Sequence, residues 1–125
     1  MSEPTFSGGC FCRRVRYEVT GRVRNLCFCH CVSCRRAAGS PMVAWGTFEL
    51  DKLRITGGKL AEYASSPKVT RGFCSACGTS ITYFHEGRPN EIDITLVTLD
   101  DPTALVPEFH IWVQDKLPWV RIEDG

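Results

Sequence analysis

Eight cysteines stand at Cys10, Cys12, Cys27, Cys29, Cys31, Cys34, Cys74 and Cys77, and they constrain this 125-residue chain more than any other feature. They fall into three local groups, C-x-C, C-x-C-x-C-x-x-C and C-x-x-C. One C-x-x-C alone is a weak signal, but three clusters with an even total form a chelating pattern. Zinc takes four soft ligands at about 2.3 Å in a tetrahedron, so thiolates sharing one ion lie about 4 Å apart. On a straight strand, residues i and i+2 are nearly 7 Å apart. The segment from Cys27 to Cys34 therefore cannot be a strand throughout and must turn.

The spacing also suggests how the cysteines divide. The middle cluster is compact enough to supply three or four ligands by itself. The outer pairs, Cys10/Cys12 and Cys74/Cys77, each lack two ligands and can complete one another, which would tie the N-terminal segment to the middle of the chain. Four thiolates make a closed, structural site. Three, from Cys29, Cys31 and Cys34, leave a position for solvent or substrate, which is the catalytic pattern. Cys27 decides between them, either closing the second site as a fourth thiolate or serving as a small buried hydrophobe. Two closed structural sites, a disulfide framework and a thiol redox centre are the competing readings.

Composition narrows the class. Hydrophobic residues make up 43% and charged residues 23%, which is globular and excludes wholesale disorder or collagen-like repeats. The length suggests a single domain, 1-125. No apolar run approaches the roughly 18 to 20 residues that span a bilayer, so no membrane association is expected. The opening Met1-Ser2-Glu3-Pro4-Thr5-Phe6 has no basic and then apolar stretch, so the expectation is a cytoplasmic chain with reduced thiols. Residues 1–36 carry seven Arg and two acids, a balance of +5, against −4 for the remainder. That excess lies where most of the thiols are, where it is expected to lower their pKa. As a footprint for nucleic acid it is thin, so nucleic acid is not the expected partner.

Periodicity reads as all-β. In Arg14–Thr20, Val15, Tyr17 and Val19 share one face, a half-buried strand. Short runs at 42–48, 53–56, 60–64 and 68–73 follow, with Gly57-Gly58 reading as a hairpin turn between two of them. Segments 80–85 and 91–99 form the clearest strand pair, and 109–113 a last strand. A turn or two of helix follows Cys31, running through Arg35, Arg36, Ala37 and Ala38 to Gly39 as its cap. Strands at this spacing argue short antiparallel strands in small sheets. A core that small implies that metal contributes much of the folding free energy.

Four segments then point to a family. They are Gly9-Cys10-Phe11-Cys12; Cys29-His30-Cys31-Val32-Ser33-Cys34-Arg35-Arg36 with Gly39-Ser40-Pro41; Arg71-Gly72-Phe73-Cys74-Ser75-Ala76-Cys77-Gly78-Thr79; and His110-Ile111-Trp112 with Lys116-Leu117-Pro118-Trp119. In order and spacing this resembles the glutathione-dependent formaldehyde-activating enzyme (Gfa) family, which includes the centromere protein V domain. The resemblance implies a compact all-β, MSS-four-like fold with two zinc ions. It puts the structural zinc on Cys10, Cys12, Cys74 and Cys77, and a reactive one on Cys29, Cys31 and Cys34. It implies a carbon–sulfur lyase whose small-molecule partners are a thiol, glutathione, and an aldehyde, formaldehyde, joined as S-hydroxymethylglutathione. The related alternative is a non-catalytic zinc module that binds a protein or nucleic-acid partner.

Other residues carry weaker expectations. His30, between two ligands, points away from them if the chain is locally extended. Arg35 and Arg36 either pair with substrate carboxylates or form a solvated helix face. His110 reads as a structural histidine and His85 as a surface one. Trp45, Trp112 and Trp119 read as core, with Phe48, Phe73, Tyr83 and Phe84.

Overall fold

A computed structural model describes residues 3–123. In chain order the strands are β1 (Thr5–Gly9), β2 (Arg16–Thr20), β3 (Arg24–Cys29), β4 (Val43–Glu49), β5 (Leu53–Gly57), β6 (Ala61–Ser66), β7 (Val69–Phe73), β8 (Ser80–His85), β9 (Glu91–Thr95) and β10 (Phe109–Ile111). One helix, α1 (Val32–Ala38), lies between β3 and β4. It ends where the sequence places the cap, at Gly39, whose φ of 63° is left-handed and open to a residue without Cβ. No helix among the described residues is long and apolar enough to cross a membrane.

The strands form two sheets, one of three strands ordered β1-β2-β5 and one of seven ordered β10-β3-β4-β9-β8-β7-β6. The all-β expectation holds, with three departures in detail. The Gly57-Gly58 pair is not a hairpin turn, because β5 pairs with β2 and β6 with β7, so these glycines carry the chain from one sheet to the other. The last strand joins β3 in parallel, the one parallel pair among the described strands. The long strand over 91–99 stops at Thr95, and Leu96–Thr98 is a 3-10 turn.

Alternation along the seven-stranded sheet separates its two faces. One face turns Ala44, Phe48, Ile92 and Ile94 toward Val15, Tyr17 and Val19 of the small sheet, and these residues form the main core. The predicted face of β2 is thus the buried one. At its edge Tyr17 donates or accepts a 2.7 Å hydrogen bond with Thr98, tying the small sheet to the turn after β9. The opposite face carries the odd-numbered partners Cys27, Cys29, Trp45, Thr47, Arg71, Tyr83, Asp93, Phe109 and Ile111, several of which lie directly across from one another. A second cluster of Cys27, Cys29, Cys34, Val43 and Trp45 forms there beneath α1. A sheet that is apolar on one side and mixed on the other leaves the mixed side for a site.

Candidate functional site

Two loops build the first sulfur cluster. Between β1 and β2 the chain folds back tightly, with Arg13 N–H donating to Cys10 C=O at 3.1 Å and Cys10 N–H to Val15 C=O at 3.1 Å. Between β7 and β8, Gly78 N–H donates to Cys74 C=O at 2.8 Å, and its φ of 82° is a conformation that glycine adopts freely. These turns carry Cys10 and Cys12 to Cys74 and Cys77, with all four sulfurs within 4.8 Å of one another. Thr79 links the loops: its Oγ1 accepts Phe11 N–H at 3.1 Å and lies 3.2 Å from Cys77 Sγ. Hydrogen bonding to Thr79 brings the Cys77 thiol down to about 5.

The cluster fits a tetrahedral thiophilic metal. Cys10 and Cys12 sulfurs lie 3.6 Å apart and those of Cys12 and Cys74 3.7 Å. A tetrahedron with metal–sulfur bonds of about 2.3 Å has edges of about 3.8 Å. A disulfide would need about 2 Å. Val15 N–H donates to Cys10 Sγ at 3.3 Å, a contact that favours the thiolate a metal needs.

The second cluster sits where β3 gives way to α1. The strand ends at Cys29, and Cys31, extended at φ −64° and ψ 154°, caps the helix by accepting Cys34 N–H on Sγ at 3.3 Å. The change from strand to helix is the turn that the spacing demands. It gathers Cys29, Cys31 and Cys34, again with all sulfurs within 4.8 Å. Hydrogen bonds from Cys29 and Cys31, together with the Arg71 guanidinium, hold Cys34 down to about 5 against burial. The partnership with Cys34, with burial, pushes Cys29 up. Three sulfurs this close can all reach one cation.

Cys27 lies outside this group, although it is buried on the same face of β3 and across from Trp45. Burial raises its thiol to about 11, the behaviour of a small apolar side chain.

The triad lines a cavity of about 650 Å³, and Cys27 lines it too. Val32, Phe109 and Trp112 contribute apolar surface, while Arg71, Tyr83 and Arg88 contribute polar groups. Asp93, itself in the lining, accepts from Arg88 at 3.0 Å and from the Thr47 hydroxyl at 2.6 Å, a fixed and internally neutral wall. Sequence reasoning missed Arg71, Arg88, Asp93 and Tyr83 as site residues. The signal that finds Arg71, Tyr83 and Asp93 is strand register, because each stands on the sheet face that carries Cys27 and Cys29, whereas Arg88 reaches the cavity from the turn between β8 and β9.

The remaining sequence candidates fall elsewhere. His30 is fully buried and turned from the triad; its Nε2 lies 2.8 Å from His110 Nδ1, and its N–H donates to Ile111 C=O at 3.1 Å. Burial, then the neighbouring His110, keeps its pKa below the ordinary value. His110 also stacks on Phe28, so both rings serve the seam between β3 and β10. His85 Nδ1 accepts Gly87 N–H at 2.9 Å in a surface turn. Arg35 turns to the His30 carbonyl at 3.4 Å and Arg36 is exposed; neither lines the cavity. Trp45 and Phe48 are buried as expected, but Trp112 and Trp119 are 54% and 69% exposed. Trp112 takes a left-handed φ of 58° at the cavity, which turns its indole out of the core.

A β fold that draws cysteines from strand ends into one four-sulfur and one three-sulfur cluster, the latter in a cavity, defines a class of cysteine-clustered proteins with paired candidate metal sites. Within it, the family model of the glutathione-dependent formaldehyde-activating enzyme matches residues 5–115, and the chain belongs to that family. It is similar to the uncharacterized lyase C29B12.13 of Schizosaccharomyces pombe, 28% identical over 113 residues that cover 90% of this chain and 82% of the relative. Its fold is shared with the crystal structure of a Rhodobacter sphaeroides protein at a TM-score of 0.63 and 24% identity, covering 83% of this chain and 98% of the other.

Proposed function

We propose that the chain is a zinc-dependent lyase of carbon–sulfur chemistry that joins a thiol, glutathione, to a small aldehyde, formaldehyde, giving S-hydroxymethylglutathione. The observation that carries the reading is the difference between the clusters: four sulfurs at the loop junction, three in a cavity of about 650 Å³. That volume falls in the range of small-molecule sites. Family membership and the lyase-named relative support the same class of chemistry.

Cys10, Cys12, Cys74 and Cys77 would hold a structural zinc, and Cys29, Cys31 and Cys34 a reactive one. Bound at the triad, zinc supplies a Lewis acid that lowers the proton affinity of a thiol. The rest belongs to the chain. The apolar rim of Val32, Phe109 and Trp112 sheds water from a bound thiol and sharpens its electrostatics. The Arg88–Asp93–Thr47 wall closes the far side without offering a free charge. His30, hydrogen-bonded to His110 and turned away, holds the strand end and takes no proton from substrate. The thiol gives its proton to solvent, its sulfur forms the bond to the aldehyde carbon, the C=O π pair moves to oxygen, and that oxygen takes a proton from water. Eight cysteines without a disulfide among the described residues support a cytoplasmic location for the reaction.

Exchange of formaldehyde with glutathione, followed by NMR with and without zinc-loaded protein, tests the reading against the uncatalysed baseline. Acceleration that disappears in Cys31→Ser is the expected result. No acceleration from protein with both zincs bound would remove this reaction and leave either another thiol–aldehyde pair or the binding-module alternative.

A further inference from the structure

Arg71 is the cavity residue whose contacts the proposed reaction leaves unused. It stands on β7 directly across from Tyr83 of β8, and its guanidinium lies 4.9 Å from the centre of that ring. Tyr83 is in turn set edge-on to the buried Trp45, with ring centres 6.0 Å apart. Arg71 Nε donates to Ser65 Oγ at 3.2 Å. Held on these two sides, the guanidinium aims its parallel N–H pair at one atom: Nη1 and Nη2 lie 4.0 and 3.9 Å from Cys34 Sγ. Arg88, the other guanidinium of the lining, is neutralised by Glu91 and Asp93, but no carboxylate pairs with Arg71 among the described residues. Its counter-charge is the Cys34 sulfur.

That placement matters because the cavity offers an aldehyde more than one sulfur. Cys29, Cys31 and Cys34 all line the space that a substrate thiol would enter. Addition at a cysteine would form a bond from its sulfur to the aldehyde carbon, move the C=O π pair to oxygen, take a proton from water and consume a ligand. A sulfur that accepts N–H bonds from a cation gives up part of its charge to them, and its nucleophilicity falls accordingly. Cys31 Sγ accepts the backbone N–H of Cys34 at 3.3 Å. For Cys34 Sγ, Arg71 supplies the nitrogen donors among the described residues, from a side chain that also lines the cavity and so covers the approach to that sulfur. An entering thiol brings no such donor, and its sulfur stays free to attack.

We propose that Arg71 is a positioning residue that shields Cys34, its N–H pair covering that sulfur so that an electrophile in the cavity meets the bound thiol and not the protein's own ligand. The inference rests on the triad as a metal-held thiol site, as argued above, and deepens that reading by naming what keeps the triad itself from reacting.

Alkylation of the zinc-loaded full chain by iodoacetamide, without substrate, tests it. Each event forms a sulfur–carbon bond and releases iodide, and peptide mapping by mass spectrometry reads it cysteine by cysteine. The quantity is the labelling rate of Cys34 relative to that of Cys31, so a general opening of the site cancels. Arg71→Met keeps the stem and removes the fork, and should raise the ratio about tenfold, the scale of a lost contact to a metal ligand. Arg71→Lys, which keeps a charge without the fork, should fall between. Iodoacetate, whose negative charge the guanidinium attracts, should gain less from Arg71→Met than iodoacetamide does. An unchanged ratio overturns the proposal, and Arg71→Lys alone decides it if Arg71→Met does not fold. Equal gains with the two reagents assign the change to a loosened cavity and overturn it also, as does a folded variant that loses its second zinc. A wild-type triad that takes no zinc overturns this inference together with the functional reading. The formaldehyde–glutathione assay on the same preparations separates the two ideas otherwise: a raised ratio without acceleration keeps this one alone, and acceleration without a raised ratio keeps the other.

Discussion

Cys74→Ser should destabilise the zinc-loaded protein by more than Cys34→Ser, and the margin follows from chain topology. The loop-junction cluster joins Cys12 to Cys74 across 62 positions of sequence. Closing a loop of that length removes about 4 kcal/mol of unfolded-chain entropy on the cross-link estimate. The cavity cluster joins Cys29 to Cys34, five positions apart, and the same relation gives about 2 kcal/mol. Both cysteines are buried alike, at 2% and 4% exposure, so the penalty for burying a serine hydroxyl is common to the two variants and cancels. The difference of about 2 kcal/mol is a large share of a domain whose whole stability is about 5–15 kcal/mol. Urea unfolding followed by tryptophan fluorescence and far-ultraviolet circular dichroism reads it. With an unchanged m of about 2 kcal/mol per molar, the midpoint of Cys74→Ser should lie about 1 M below that of Cys34→Ser. Equal midpoints, or a less stable Cys34→Ser, would refute the assignment of a long-range staple to the loop-junction cluster.

Three further outcomes are expected. Cys27→Ser should keep two zincs per chain and an unchanged second-site affinity by chelator competition, because its sulfur lies outside the triad; it should lose about 1–2 kcal/mol of stability from a buried hydroxyl. Trp112→Gly should raise KM as the cavity loses an apolar wall, and should lower the thermal midpoint, because the packing of the half-buried indole outweighs the strain of about 1 kcal/mol relieved at its left-handed φ. Glu91 is held below its ordinary 4.5 by Arg24 and then Arg88, so its contribution is complete above about pH 4.5 and is lost as pH falls through the lower folded value. Glu91→Gln should therefore flatten the fall in thermal midpoint between about pH 5 and pH 3.

How much of this was legible depends on the range over which each feature is decided. The sulfur clusters could be read because ligand geometry acts locally: Cys29, Cys31 and Cys34 can meet only if the strand breaks, and it breaks at His30. The pairing of Cys10/Cys12 with Cys74/Cys77 followed from counting, since neither pair is complete alone. β2 was legible because its alternation faces one apolar core. β1, by contrast, is written Thr-Phe-Ser-Gly-Gly and carries little side-chain signal; its place comes from five backbone pairings with β2 and a bridge from Gly8 to Leu99. The Gly57-Gly58 misreading has the same origin, because a glycine pair marks a change of direction without saying which sheet the chain enters next. The cavity wall was the least legible part. Arg71, Tyr83, Asp93 and Thr47 lie on four different strands, and only register sets them side by side across the sheet. Local chemistry thus announces the groups that can hold a metal, whereas the cavity groups beside them are assembled by long-range pairing. That division also explains why Trp112, in a segment read as strand and core, turns out at the rim. Parallel pairing of β10 with β3 ends at Ile111, and the left-handed residue that follows sends the indole over the cavity in place of burying it.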